Sequence, residues 1–151
     1  MTSPSSPEAY VYLRAASAGL RHHARGLAHT AGPADRVHLD LIHAHLTALH
    51  QLLDRLAEQT RPPHPAAGRH LAGAHLRLWQ ATAEVHDAFH KLPSATSDTT
   101  LCRPERLPEG PPVLTICQRH LACGHTIRRK STPTDLNTPP HHPARTNGCA
   151  I

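Results

Sequence analysis

Apolar residues recur at intervals of three and four along four stretches, which predicts four helices. The first spans about 7–29, with Tyr10, Leu13, Ser17, Leu20, Ala24 and Leu27 on one stripe. Pro7 suits its first turn, with Ser5 or Ser6 as N-cap, and Gly32-Pro33 ends it. The second, about 34–60, has the densest pattern. Leu39, Ile42, Leu46, Leu49, Leu53 and Leu56 form an arc that Leu41 and Leu52 widen. His38 and His45 fall within that arc as packing residues. His43, His50 and Asp54 line its opposite edge, and Asp40, Thr47, Gln51 and Arg55 are expected to face water. Three prolines in Arg61-Pro62-Pro63-His64-Pro65 break the chain there.

The third helix, about 66–92, carries Leu71, Ala74, Leu78, Ala81, Val85, Phe89 and Leu92, with His75, Trp79, Thr82, His86 and His90 on one flank. Pro93 stops it. Residues 93–113 are rich in Pro, Ser and Thr, lack any period and read as a loop. Thr115 and Gln118 then fit a capping box that opens a fourth helix over 114–130. Ile116, His120, Cys123 and Ile127 recur along it at four, three and four. Residues 131–151 have the composition of a disordered tail. The expected fold is all-α and bundle-like. Three long antiparallel helices make a core over 1–92, joined by the shorter fourth helix.

Composition supports helices. Apolar residues are 38% of the 151-residue chain and aromatics only 3%, so the core must rest on Leu and Ala, not on strand formers. The chain has the length of one domain. It has no apolar run long enough to span a membrane, and its N-terminus lacks the pattern of a signal peptide. A cytoplasmic location is the expectation, with Cys102, Cys117, Cys123 and Cys149 as thiols or metal ligands. The net charge of +5 is modest and evenly divided between the two parts of the chain. Only Lys91 and Lys130 are lysines.

The segments Leu39–Ala57, His70–His86 and Leu114–Pro139 resemble a family of small Streptomyces proteins of unknown function. The likeness covers about residues 8–139. It implies an actinobacterial, cytosolic protein and brings no activity, cofactor or catalytic residue with it.

Histidine is the unusual component, at sixteen residues, twelve of them before Pro93. His86 and His90 stand at i and i+4, as do His50 and Asp54, so each pair can share one ion; no cofactor is predicted, and zinc is the ion such a pair would suit. A complete site needs both helices, which suggests two sets: His43 with His86 and His90, or His50 with Asp54 and His75. The competing reading is that these rings tuck against neighbours as ordinary packing residues. A second candidate metal set is Cys102, Cys117, His120 and Cys123. The same helical stripe also suits plain packing, because a free Cys behaves as a small apolar residue. Cys117 and His120 as a nucleophile pair lie within one turn, a poor geometry for hydrolysis. Arg128, Arg129 and Lys130 are candidates for nucleic-acid contact, or else complement the dipole at a helix C-terminus. These residues point to an accessory or protein-interaction protein with a protein partner, not to an enzyme. A zinc-binding bundle is the alternative, and a nucleic-acid accessory the third reading.

Overall fold

A computed structural model of the chain describes residues 10–29, 32–94, 115–131 and 137. Among these residues are the helices α1 (Val11–Leu27), α2 (Arg36–Thr60), α3 (Pro65–Lys91) and α4 (Ile116–Lys130). Among the described residues there is no strand, and no helix is long and apolar enough to cross a membrane. The expected caps at Ser5 or Ser6, residues 95–113 of the expected loop and nearly all of the expected tail lie outside the described residues.

Local chemistry sets the helix ends. Asp35 caps α2, its carboxylate accepting from the His38 N–H at 2.7 Å. Pro65 occupies the first position of α3, where a missing N–H costs nothing. At α4 both halves of the capping box form. The Gln118 N–H donates to Thr115 Oγ1 at 3.2 Å, and the Thr115 N–H donates to Gln118 Oε1 at 2.9 Å.

The chain divides into two compact units, Met1–Ala34 and Asp35–Ile151. The first contains α1, whose Ser17 hydroxyl donates back to the Leu13 carbonyl at 3.0 Å. In the second, α2 and α3 form an antiparallel hairpin and α4 packs on both. Arg119 reaches Asp40 near the start of α2, and Lys130 reaches Asp54 and Glu58 near its end, so α4 runs parallel to α2.

The helices meet along faces unlike those their leucines suggest. On α2 the buried residues are His43, Thr47, His50 and Ala57. On α3 they are Gly68, His75, Leu76, Thr82 and Phe89, and on α4 Ile116, Cys123, Gly124 and Ile127. Seam positions recur every seven residues (His43, His50 and Ala57 on α2; Gly68, His75, Thr82 and Phe89 on α3; Ile116 and Cys123 on α4), the repeat of a coiled-coil seam, but with polar residues in it. Thr47, expected to face water, is buried. Its hydroxyl donates to the His43 carbonyl at 2.8 Å. His43 and His50 sit at the centre of the seam and not at its edge, with exposures of 0% and 1%. Leu41 and Leu52, expected to widen the core arc, are exposed. The leucine and histidine faces of α2 adjoin. The arrival of α4 on the histidine side decides which of them is covered most deeply.

The hairpin is tightest beside its turn. A Cβ on Gly68 would lie 2.6 Å from the Arg61 Cα and 2.9 Å from the Arg61 nitrogen. Replacing Gly by Ala in a helix ordinarily gains about 1 kcal/mol. Here the clash is with backbone, which cannot swing aside. Gly68→Ala should therefore lower stability by about 1–3 kcal/mol in urea unfolding, as overpacking does. An unchanged or raised midpoint would show that the turn can open.

Candidate metal centre

Two features of the polar seam bear on function. The first is a set of buried ring nitrogens. His43 Nε2, His50 Nε2, His75 Nε2, Trp79 Nε1 and His120 Nδ1 have no hydrogen-bond partner among the described residues. The His50 and His75 rings stack with centroids 3.9 Å apart, and His86 stacks on His120 at 4.3 Å. Burial lowers the pKa of His43 to about 4, helped by the nearby charge of Arg119 and by His120 and His86, and opposed by Asp40. Burial, then His75, brings His50 to about 4 as well, against the pull of Asp54. His75 and His120 are also lowered, chiefly by burial. At neutral pH these buried rings are therefore uncharged.

The second feature is a trio at the end of the bundle where α3 finishes and α4 begins. His86 Nε2 and His90 Nε2 are 3.2 Å apart. Cys117 Sγ lies 3.5 Å from the first and 3.3 Å from the second. The i, i+4 spacing puts the two histidines on adjacent turns of α3. Cys117 follows Ile116, whose burial anchors the first turn of α4, and the helix dipole there favours negative charge on sulfur. Among the described residues this is the only group of three or more His, Cys, Asp or Glu donors with all atoms within 4.8 Å of one another.

The distances suit one ion. Zinc–nitrogen bonds of about 2.0–2.1 Å and a zinc–sulfur bond of about 2.3 Å, at tetrahedral angles, put nitrogen atoms about 3.4 Å apart and nitrogen about 3.6 Å from sulfur. The three observed separations match these edges within a few tenths of an ångström. A circle through the three donors has a radius of only about 1.9 Å, so an ion at those bond lengths stands off their plane. That is one face of a tetrahedron, with the fourth vertex left for another ligand.

Proton positions favour the same reading. Asp87 Oδ1 lies 3.3 Å from His86 Nδ1. A carboxylate only accepts, so Nδ1 is the donating nitrogen, which leaves Nε2, turned toward His90 and Cys117, as the atom that can ligate. The His90 ring is held toward its neutral, ligating form by burial and then by the nearby His86 and Arg36, against Asp87. Arg36 itself ties the end of α3 to the start of α2. Its Nε donates to the Leu92 carbonyl at 2.9 Å, and its guanidinium stands 5.0 Å from the Phe89 ring centroid.

The other candidate residues have different roles. His43 Nδ1 accepts from Arg119 Nε at 3.4 Å, and its ring is 6.2 Å from that of His86. Both carboxylate oxygens of Asp54 accept from Lys130 Nζ at 2.8 Å, while His75 Nε2 is 3.9 Å from Asp54 Oδ1. An adjoining cavity of about 220 Å³ is lined by His50, Asp54, Cys123 and Thr126 among others. Cys123 is buried, which raises its thiol pKa, and it pairs with Thr47. Cys102 lies outside the described residues. Arg129 Nε donates to the His125 carbonyl at 3.3 Å, and Arg128 is exposed. The trio thus takes two members from one set drawn from the sequence and one from the other. The signal for Cys117 is its position beside the seam residue Ile116 on a helix whose 4-3-4 spacing marks it for docking.

All-helical architecture and a two-histidine, one-cysteine cluster between helices define the class of this chain: a small histidine-rich bundle. The chain belongs to a family of unknown function, DUF6238, whose pattern matches residues 1–146. No curated protein and no solved structure matches it.

Proposed function

We propose that this protein binds one zinc-class divalent ion through His86, His90 and Cys117, and serves as an accessory protein and not as an enzyme. The observation that carries this reading is the donor triangle of 3.2, 3.3 and 3.5 Å, which has the edges of a tetrahedral site. A cytoplasmic location and a Streptomyces origin go with it. The first is supported by cysteines suited to the thiol state, and the second by the resemblance of three segments and the excess of Arg over Lys. Contact with nucleic acid through Arg128, Arg129 and Lys130 has less support, because Lys130 is engaged by Asp54 and Glu58.

Elemental analysis of protein purified without a tag and dialysed against zinc should find one ion per chain, and Cys117→Ser should reduce this to a trace. Equal zinc in the two proteins would sink the assignment. Asp87 should matter without touching the ion. Its carboxylate fixes the His86 tautomer, and removing such a partner typically weakens metal binding 10–100-fold. Because Asp87 is exposed, the expected loss for Asp87→Ala is about tenfold, with the stoichiometry unchanged. Competition titration with a chromophoric chelator measures it. An affinity equal to the parent's would mean that the ring is oriented by packing alone.

A further inference from the structure

The donors come from two helices, His86 and His90 from α3 and Cys117 from α4. These helices are held in the bundle very differently. α2 and α3 pair along their length and are joined by a short turn at Arg61–His64. α4 is separated from α3 in sequence by residues 92–115 and makes far fewer contacts with either helix. Its buried apolar side chains are Ile116, Cys123 and Ile127. Polar side chains lie beneath it: His43 meets Arg119 and His120, Thr47 pairs with Cys123, and His50 shares a cavity with Ala122 and Cys123. Apolar burial thus holds α4 through three side chains set on a partly polar floor. Attachments at its two ends supply the rest. At the first end, Cys117 meets His86 and His90, and Arg119 bonds Asp40. At the second, Lys130 bonds Asp54 at 2.8 Å and Glu58 at 2.5 Å.

We propose that the ion at His86, His90 and Cys117 controls whether α4 is docked. Loaded, it fastens the start of α4 to the end of α3; unloaded, α4 exchanges between docked and released states over an otherwise intact α2–α3 hairpin. This rests on the metal reading above. The full donor set exists only when α4 is docked, so the ion binds that state preferentially and shifts the population toward it. Linkage is reciprocal: whatever lowers the docked fraction of the metal-free chain lowers the apparent metal affinity in proportion to that fraction.

Lys130 gives a clean test of that reciprocity. It is thirteen residues beyond Cys117, about 20 Å along the helix at 1.5 Å per residue, and cannot touch the ion. The experiment is hydrogen exchange on the full chain with and without zinc, together with zinc affinities of the parent, Lys130→Met and Arg129→Ala. Without zinc, the amides of residues 116–130 should exchange faster than those in the central turns of α2 and α3, and zinc should slow them by tenfold or more. Lys130→Met should weaken zinc binding about fivefold or more, the lower range of such couplings. Arg129→Ala, which removes only a contact within α4, should leave it unchanged. If zinc binds one to one and the exchange of α4 does not respond, the docking proposal is wrong and the site stands. Equal affinities for the parent and Lys130→Met would also overturn it. If zinc does not bind at all, the site reading fails and takes the proposal with it.

Discussion

Acidification from pH 7 to 4 should unfold the Asp35–Ile151 unit well before its carboxylates are fully protonated. In the unfolded chain His43 and His50 take up a proton near pH 6.5; in the folded chain they do so only near 4. Between those values the unfolded state holds more protons. The stability these rings permit is therefore complete above about pH 6.5 and is lost as the pH falls toward 4. Such a difference amounts to roughly 3 kcal/mol per imidazole. Two of them approach the whole stability of an ordinary domain, about 5–15 kcal/mol. His75, His90 and His120 are lowered too and push in the same direction. Circular dichroism against pH should show one cooperative loss of helix between about pH 4 and 6. His50→Leu sharpens the test. It removes a buried nitrogen without a partner, a group that costs about 1–3 kcal/mol when left unsatisfied. Its stability at pH 7 should equal or exceed the parent's, and its acid midpoint should move down. A parent protein whose melting point is level from pH 7 to 4 would contradict this account of the seam.

Zinc should produce the second large effect. An ion that binds only the folded chain stabilises it by about 4 kcal/mol at a thousand times its dissociation constant. For a folded unit near a hundred residues, each 1 kcal/mol moves the melting temperature by about 4–8 °C. Calorimetry at pH 7.5 should therefore show a rise of about 15–30 °C with saturating zinc. Magnesium, which prefers oxygen donors, should give none. Cys117→Ser and His86→Gln should each abolish most of the rise while keeping the metal-free melting point near the parent's. A similar rise in these variants would place the ion elsewhere, and the seam nitrogens of His50 and His75 would become the next place to look.

These two predictions draw on parts of the molecule that differ in how far the sequence discloses them. The helices are local matters. Leucine spacing, Pro65 at the first position of α3 and the Thr115–Gln118 box each act within a turn or two, and the helices stand where those signals put them. Which face goes inward is a matter of partners. On α2 the leucine face and the face of His43, Thr47 and His50 lie side by side, and apolar periodicity favours the leucines. The structure buries the histidine face because α4 packs there and supplies Arg119 to His43 and Asp40. The site divides in the same way. His86 and His90 are legible as an i, i+4 pair. Cys117 is 27 residues beyond His90, and its approach depends on α4 running parallel to α2. Local spacing groups it with His120 and Cys123 on its own helix instead. His120 turned out to stack on His86, and Cys123 to face Thr47 in the interior.

Cobalt(II) substitution tests the metal assignment most directly, because its visible spectrum reports both geometry and thiolate ligation. Added to metal-free protein at neutral pH, one equivalent should give intense tetrahedral d–d bands and a sulfur-to-cobalt charge-transfer band in the near ultraviolet. Cys117→Ser should lose the charge-transfer band, and one equivalent of zinc should bleach the parent's spectrum. A weak octahedral spectrum, or a charge-transfer band that survives Cys117→Ser, would contradict a site built from His86, His90 and Cys117.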